Sequence, residues 1–177
     1  MKLIIFLTVL FFLFLAWVAS LFLIQIYQMP DKSMEPTLGH KQYLVFKKYF
    51  HTVLNPHRGD IVLYLDPESR AASVGRVIIL PSEKFTISEG SIYIDDGVVH
   101  RLEEPYLGKG VKNQVDIEGI WFELGKIQYL ILADDRSNKM MNFKQSTFEK
   151  SNIVGILWIA PWYPKKCSLI SYCPNDF

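Results

Sequence analysis

The sequence predicts a mainly β domain, a folded sheet or barrel, behind a single N-terminal transmembrane helix. Two observations carry that expectation. Residues Leu3 to Ile24 hold no charge, and a helix needs about 20 apolar residues to cross a bilayer core. After residue 30 the apolar residues come in short runs rich in Val, Ile, Tyr and Phe, with turn residues between them. No later segment sustains a helical period. With 177 residues, 50% hydrophobic and 21% charged, the chain has the size and composition of one folded domain and not of a disordered one.

The N-terminal run contains only Thr8 and Ser20 as polar residues. Val18-Ala19-Ser20 is small enough for a signal-peptide cleavage site, but Leu21-Phe22-Leu23-Ile24 continues the run beyond it. A cleaved signal usually has an apolar region of about 7–15 residues. The expectation is therefore an uncleaved anchor over residues 1–28 and an extracytoplasmic domain over 29–177. Lys2 lies before the span, and Asp31 with Lys32 after it. The positive-inside rule then places the N-terminus in the cytoplasm and the domain outside, as a single-pass plasma-membrane protein. Gln25 to Lys32 forms a tether of eight residues between the span and Ser33, reaching under about 30 Å when extended.

Strands are expected at Tyr43–Phe46, Asp60–Leu65, Val74–Leu80, Lys84–Ser88, Ser91–Ile94, Val98–Leu102, Ile127–Leu132 and Ile153–Ile159. Asp96-Gly97 reads as a two-residue type I′ hairpin turn. Lys47-Lys48 reads as a solvated strand end. Trp158, Trp162 and Tyr163 read as a belt at the membrane surface, with core packing the competing role for Trp158. Without Lys2 the 19 basic residues become 18, matching the 18 acidic ones. Such a domain lacks the basic surface that nucleic acid requires. Cys167 and Cys173 are too few for a thiolate metal site, and no spacing reads as zinc, so no metal or cofactor is expected. An oxidising exterior permits a bridge between them, and two free thiols fit equally well.

The chemistry centres on Met29-Pro30-Asp31-Lys32-Ser33-Met34-Glu35-Pro36-Thr37-Leu38, which sets a serine in a proline-bracketed loop just past the anchor. Ser-Met-x-Pro-Thr-Leu in that place resembles the nucleophile box of type I signal peptidases, membrane serine proteases that remove signal peptides from exported proteins. Further matches follow in order down the chain. Arg58-Gly59-Asp60-Ile61-Val62 resembles the family's second box, and Gly75-Arg76-Val77-Ile78-Ile79-Leu80-Pro81 its Lys-Arg-Val-Ile-Gly-x-Pro box. Tyr93-Ile94-Asp95-Asp96-Gly97 and Glu104-Pro105-Tyr106-Leu107 resemble its hairpin. Leu132-Ala133-Asp134-Asp135-Arg136 resembles Leu-Gly-Asp-Asn-Arg, and Ile153-Val154-Gly155 the closing strand. The resemblance implies Ser33 at the nucleophile position, with Asp31, Met34 and Arg76 in the substrate-binding cleft.

The departures bear on activity. In the family a lysine takes the serine's proton, because a hydroxyl is a poor nucleophile without a base. That lysine position is Gly75 here. Arg76 is no substitute, since its guanidinium stays protonated and strand neighbours point to opposite faces. The small residue two before the serine is Asp31, whose carboxylate opposes charge developing on a substrate oxygen. In the third box the serine that supports the lysine has become Lys139, and an aspartate has become Met141.

Three functions compete. In the first, the chain has lost peptidase activity and is a binding or assembly factor for exported surface proteins. Noncatalytic relatives of this kind accompany sortases in pilus clusters of Gram-positive bacteria, which makes a pilin, a sortase or a secretory precursor the expected partner. In the second, Ser33 cleaves signal peptides with Lys139 as a relocated base, entering the space that Gly75 leaves. In the third, the chain is a structural membrane protein without a ligand groove. The concerted loss of site residues beside intact strands favours the first.

Overall fold

The computed structural model describes residues 2–48, 55–107, 111–113, 119–136 and 143–161. Lys139, Met141, Trp162, Tyr163, Cys167 and Cys173 lie outside the described residues. Helix α1 runs over Lys2–Leu23. Among the described residues no helix is long and apolar enough to cross a membrane. The single-pass anchor therefore rests on the uncharged run in the sequence.

Strand β1 (Ile24–Gln28) follows α1 without a break and pairs antiparallel with β2 (Tyr43–Lys48). The first four of the eight expected tether residues are thus strand. Gln25 to Gln28 are fixed residue by residue against Phe46 to Tyr43, so the serine loop starts from the edge of a sheet. The chain continues with β3 (Ile61–Leu65), β4 (Ala72–Ile79), β5 (Lys84–Ser88), β6 (Ser91–Asp95), β7 (Val99–Arg101) and β8 (Phe122–Glu123). It ends with β9 (Gln128–Leu132), the single turn α2 (Phe143–Ser146), β10 (Thr147–Glu149) and β11 (Ile153–Ile159). Seven strands form one sheet in the order β1-β2-β11-β3-β4-β9-β10, and four form a second in the order β7-β6-β5-β8.

Every strand read from the sequence is present. The three that were not read are β1, hidden in the end of the apolar run, and the two- and three-residue edge strands β8 and β10. The turn chemistry differs from expectation. Asp95 pairs with Val99, so three residues (Asp96-Gly97-Val98) make that turn, with Gly97 at φ 107° and its N–H donated to Asp95 Oδ1 at 3.1 Å. The two-residue turn is Glu89-Gly90, between paired Ser88 and Ser91, with φ 53° and 76°. Type I′ demands that pair of positive values.

Strand β4 lies near the middle of the large sheet and is buried on both faces. Val74 packs with Met29, Met34, Leu38, Leu44, Phe46, Ile61 and Leu63. Val77, on the other face, packs with Val62, Tyr129, Ile131, Phe148 and Ile153. Ile78 and Ile79 reach the second sheet through Phe85, Ile87, Ile92 and Ile94. Burial on both sides explains the unbroken Val77-Ile78-Ile79 run.

Candidate active site

The Ser33 loop is held down by buried methionines on either side. Met29 and Met34 are 1% and 0% exposed, and Leu38 is 3%. The Met29 N–H donates to Gln42 O at 2.9 Å and Leu38 N–H to Met34 O at 2.8 Å, with Glu35–Pro36 in the cis form. Met34, placed in the cleft by resemblance, has no exposed surface. That is a correction: Met34 pins the loop to the core from beneath and is not presented to a ligand.

Asp31 folds back on the serine. Its Oδ1 accepts the Ser33 backbone N–H at 2.9 Å. In acyl transfer the amide of the nucleophile is a natural donor to the developing oxyanion. Here a carboxylate already engages it, with a negative charge that repels another. Among the described residues no lysine or histidine hydrogen-bonds Ser33. His57 and His100 each sit 3.6 Å from a carboxylate close by in the chain, Asp60 and Asp96.

Gly75 lies across from Val62 in the β3–β4 pair. A Cβ built there would stand 2.6 Å from Ile131 Cγ2 and 3.2 Å from both Leu132 O and Tyr64 Cε1. The expectation of an open, side-chain-sized space at Gly75 is therefore wrong. Neighbouring side chains have closed over the position, because a residue without a Cβ lets the adjacent strands and rings pack against its backbone. Lys139, the proposed relocated base, lies outside the described residues.

Arg76 points to the opposite face, as alternation requires. Its Nε and Nη2 donate to the Asp134 carboxylate at 2.8 and 2.6 Å, its Nη1 to Gly59 O at 2.9 Å, and Nη2 also to Thr37 Oγ1 at 3.3 Å. The pair is buried, with side-chain exposures of 6% and 0%. Arg76 thus ties the Ser33 loop, the second box and the third box together, with four of its five N–H donors engaged within the chain. The third box touches the first directly, where the Asp135 N–H donates to Ser33 O at 2.8 Å.

Sequence reasoning missed a second layer behind this contact. Arg136 bonds Glu104 at 2.6 Å and also Asn113. Asn113 donates to Glu104 Oε2 at 3.0 Å and to Gly90 O at 3.1 Å. The Tyr106 ring lies 4.1 Å from the Arg76 guanidinium, with its hydroxyl donated to Glu104 Oε1 at 2.9 Å. Burial, and then the Glu104 charge, push the Tyr106 phenol up, outweighing the two arginines. Glu104-Pro105-Tyr106 was visible in the sequence, but nothing there paired it with Arg136. Among the described residues no group of acidic, His or Cys side chains gathers as a metal site.

Tyr64 was also missed. Burial first, then the charges of Asp66 and Asp31, raise its phenol from 10.0 to about 12. A group whose folded pKa is raised contributes stability that is complete below its unfolded value and is lost as pH rises through the folded one. The urea midpoint should therefore fall as pH rises from about 10 toward 12. Tyr64→Phe should flatten part of that fall, leaving the contribution of Tyr106.

The two antiparallel sheets and the loops that join them at the site define a mainly β scaffold. The family described as signal peptidase, peptidase S26, matches residues 2–157. The chain belongs to that family. It is 24% identical over 153 residues to a probable signal peptidase I-2 of Synechocystis, covering 80% of this chain and 65% of the relative. It is 31% identical over 114 residues to signal peptidase I U of Bacillus subtilis, covering 61% and 59%. With signal peptidase I V of Bacillus subtilis the identity is 27% over 164 residues, covering 82% and 95%. The chain thus spans somewhat under two thirds of the first two relatives. A crystal structure of signal peptidase I from Enterococcus faecalis aligns over 60% of this chain and all of that one, at 20% identity and a TM-score of 0.45.

Proposed function

We propose that this chain is a signal-peptidase homologue that no longer cleaves. On this reading it acts as a membrane-anchored binding or assembly factor for exported surface proteins such as pilins. The observation that carries the reading is Gly75 itself: the position where the family has its base carries no side chain, and even a Cβ there would meet Ile131 Cγ2 at 2.6 Å and Tyr64 Cε1 at 3.2 Å. The Asp31 carboxylate on the Ser33 amide supports it from the other side of the reaction.

The retained interior supports binding. Arg76, Asp134 and the Asp135–Ser33 contact still shape the cleft although the base is gone. A membrane position is supported by the uncharged Leu3–Ile24 run and by the sheet surface next to it. On β1, β2 and β11 the large residues Ile26, Tyr43, Trp158 and Ile159 are exposed, with Ile26 and Ile159 both in register with Val45. Lys47 Nζ stands 5.1 Å over the Trp158 ring. Aromatic rings and basic groups of this kind favour the headgroup region. A partner that is itself membrane-anchored would meet the cleft at raised effective concentration, which lets a weak site suffice.

The purified full-length protein is expected to leave a secretory precursor intact over hours, and Ser33→Ala should support surface-protein assembly in cells as well as the wild type. Precursor cleavage that Ser33→Ala abolishes would overturn the reading in favour of a working peptidase.

A further inference from the structure

The four-stranded sheet carries a groove on the face turned away from its core. Alternation along β5 sends Phe85 and Ile87 into the apolar cluster with Ile92 and Ile94, so Lys84 points to the other side. Lys84 lies across from Asp95 on β6 and from Glu123 on β8, which sets a carboxylate on each side of one ammonium. Trp121, 45% exposed, comes just before β8. Together with Phe122 these side chains line a cavity of about 260 Å³.

The walls of the groove are fixed. Gly119 N–H donates to Ile87 O at 2.8 Å and Leu124 N–H to Glu83 O at 3.1 Å, so the segment carrying Trp121 is bonded at both ends. The Phe122 ring packs on Phe85 at 5.8 Å between centroids. Asp95 Oδ1 accepts the Gly97 N–H at 3.1 Å, which orients that carboxylate. The polar groups still have capacity for a ligand. Lys84 Nζ stands 4.0 Å from Glu123 Oε2, beyond hydrogen-bond length, and both side chains are exposed. A solvated row of charges would explain these three residues, but gives no reason for a tryptophan to line the same cavity.

A cationic ligand would meet Lys84 here, and an anionic one Asp95 and Glu123. The set suits a neutral ligand that both donates and accepts, because an ammonium only donates and carboxylates only accept. The indole adds a flat apolar face. A pyranose ring has this make-up, with C–H groups on its faces and hydroxyls around its rim. The cavity is smaller than the about 300 Å³ at which pockets for drug-sized molecules begin, which matches one ring of a longer chain.

We propose that this groove binds a pyranose ring of a neutral glycan, stacked on Trp121 with its hydroxyls shared among Asp95, Lys84 and Glu123. Gly75 belongs to the seven-stranded sheet, and none of the groove residues touches it, so the proposal stands whether or not the chain cleaves.

The test uses the full-length chain in dodecylphosphocholine micelles, a detergent without sugar, with chitohexaose and cellohexaose as probes. Saturation-transfer NMR should show transfer to the ring C–H protons of at least one of them. Titration of that signal should show Trp121→Ala binding at least about tenfold more weakly than wild type. Trp121→Tyr keeps a stacking ring and should stay within about threefold. Glu123→Ala should weaken binding about three- to tenfold, with the urea midpoint near that of the wild type because the residue is exposed. Binding of both sugars would support the proposal with the ring and its hydroxyls sufficient, and binding of chitohexaose alone would support it with the acetamido group also read. No transfer to either sugar, equal binding by Trp121→Ala, or tighter binding of tetralysine than of the sugars would overturn it.

Discussion

Gly75→Lys is expected to weaken the fold and to yield no peptidase. The first atom of the new side chain, its Cβ, would sit 2.6 Å from Ile131 Cγ2, closer than packed carbons approach. Ile131 is 2% exposed and enclosed by Val62, Val77, Tyr129, Phe148 and Ile153, so it has little room to retreat. Leu132 O, at 3.2 Å, is backbone of β9, which is paired to β4. Overpacking of this kind costs about 1–3 kcal/mol. An ammonium forced among these apolar groups adds a desolvation penalty. Gly75→Ala separates the terms, because it introduces the Cβ alone and should already lower the urea midpoint. Adding Ile131→Ala to Gly75→Lys should recover part of the loss, the coupling expected of residues in contact. None of the three variants should cleave a secretory precursor, since Asp31 still engages the Ser33 amide. Family-like turnover by Gly75→Lys at wild-type stability would show that Ile131 and Tyr64 yield easily and that the site is only one residue from activity.

That result turns on packing, which a sequence read one position at a time does not express. Strands such as Lys84–Ser88 and Ile153–Ile159 were legible because short β-branched runs between turn residues have few alternatives. The opposite orientations of Gly75 and Arg76 were legible because alternation is built into a strand. The filled space at Gly75 was not. It depends on Tyr64 from one neighbouring strand and Ile131 from the other, 11 and 56 positions away in the chain. Glu89-Gly90 escaped as a hairpin turn because glutamate seldom takes a positive φ, whereas Asp-Gly at 96–97 drew the expectation to itself. Met34 looked like part of a ligand cleft because of the company it keeps in the motif, yet an apolar side chain beside a loop serine is as readily the loop's anchor.

The Arg76–Asp134 pair should be the most sensitive point of the scaffold. Removing one partner of a buried ion pair typically costs about 3–5 kcal/mol, because the other charge is left without water or a counterion. Arg76→Met is expected to fall in that range by urea denaturation, and Asp134→Leu likewise. The double variant should be much less destabilised than the sum, since no charge is then stranded. The guanidinium also holds Gly59 O at 2.9 Å and Thr37 Oγ1 at 3.3 Å. The double variant should therefore keep most of the stability while losing the clamp on the serine loop. Hydrogen exchange at residues 29–38 would show this as faster exchange there than in β5 and β6, which Arg76 does not touch. Uniform protection in the double variant would mean that the buried methionines alone position Ser33. Faster exchange confined to the loop would show that the pair ties the serine loop to β4, a role that needs no part in catalysis.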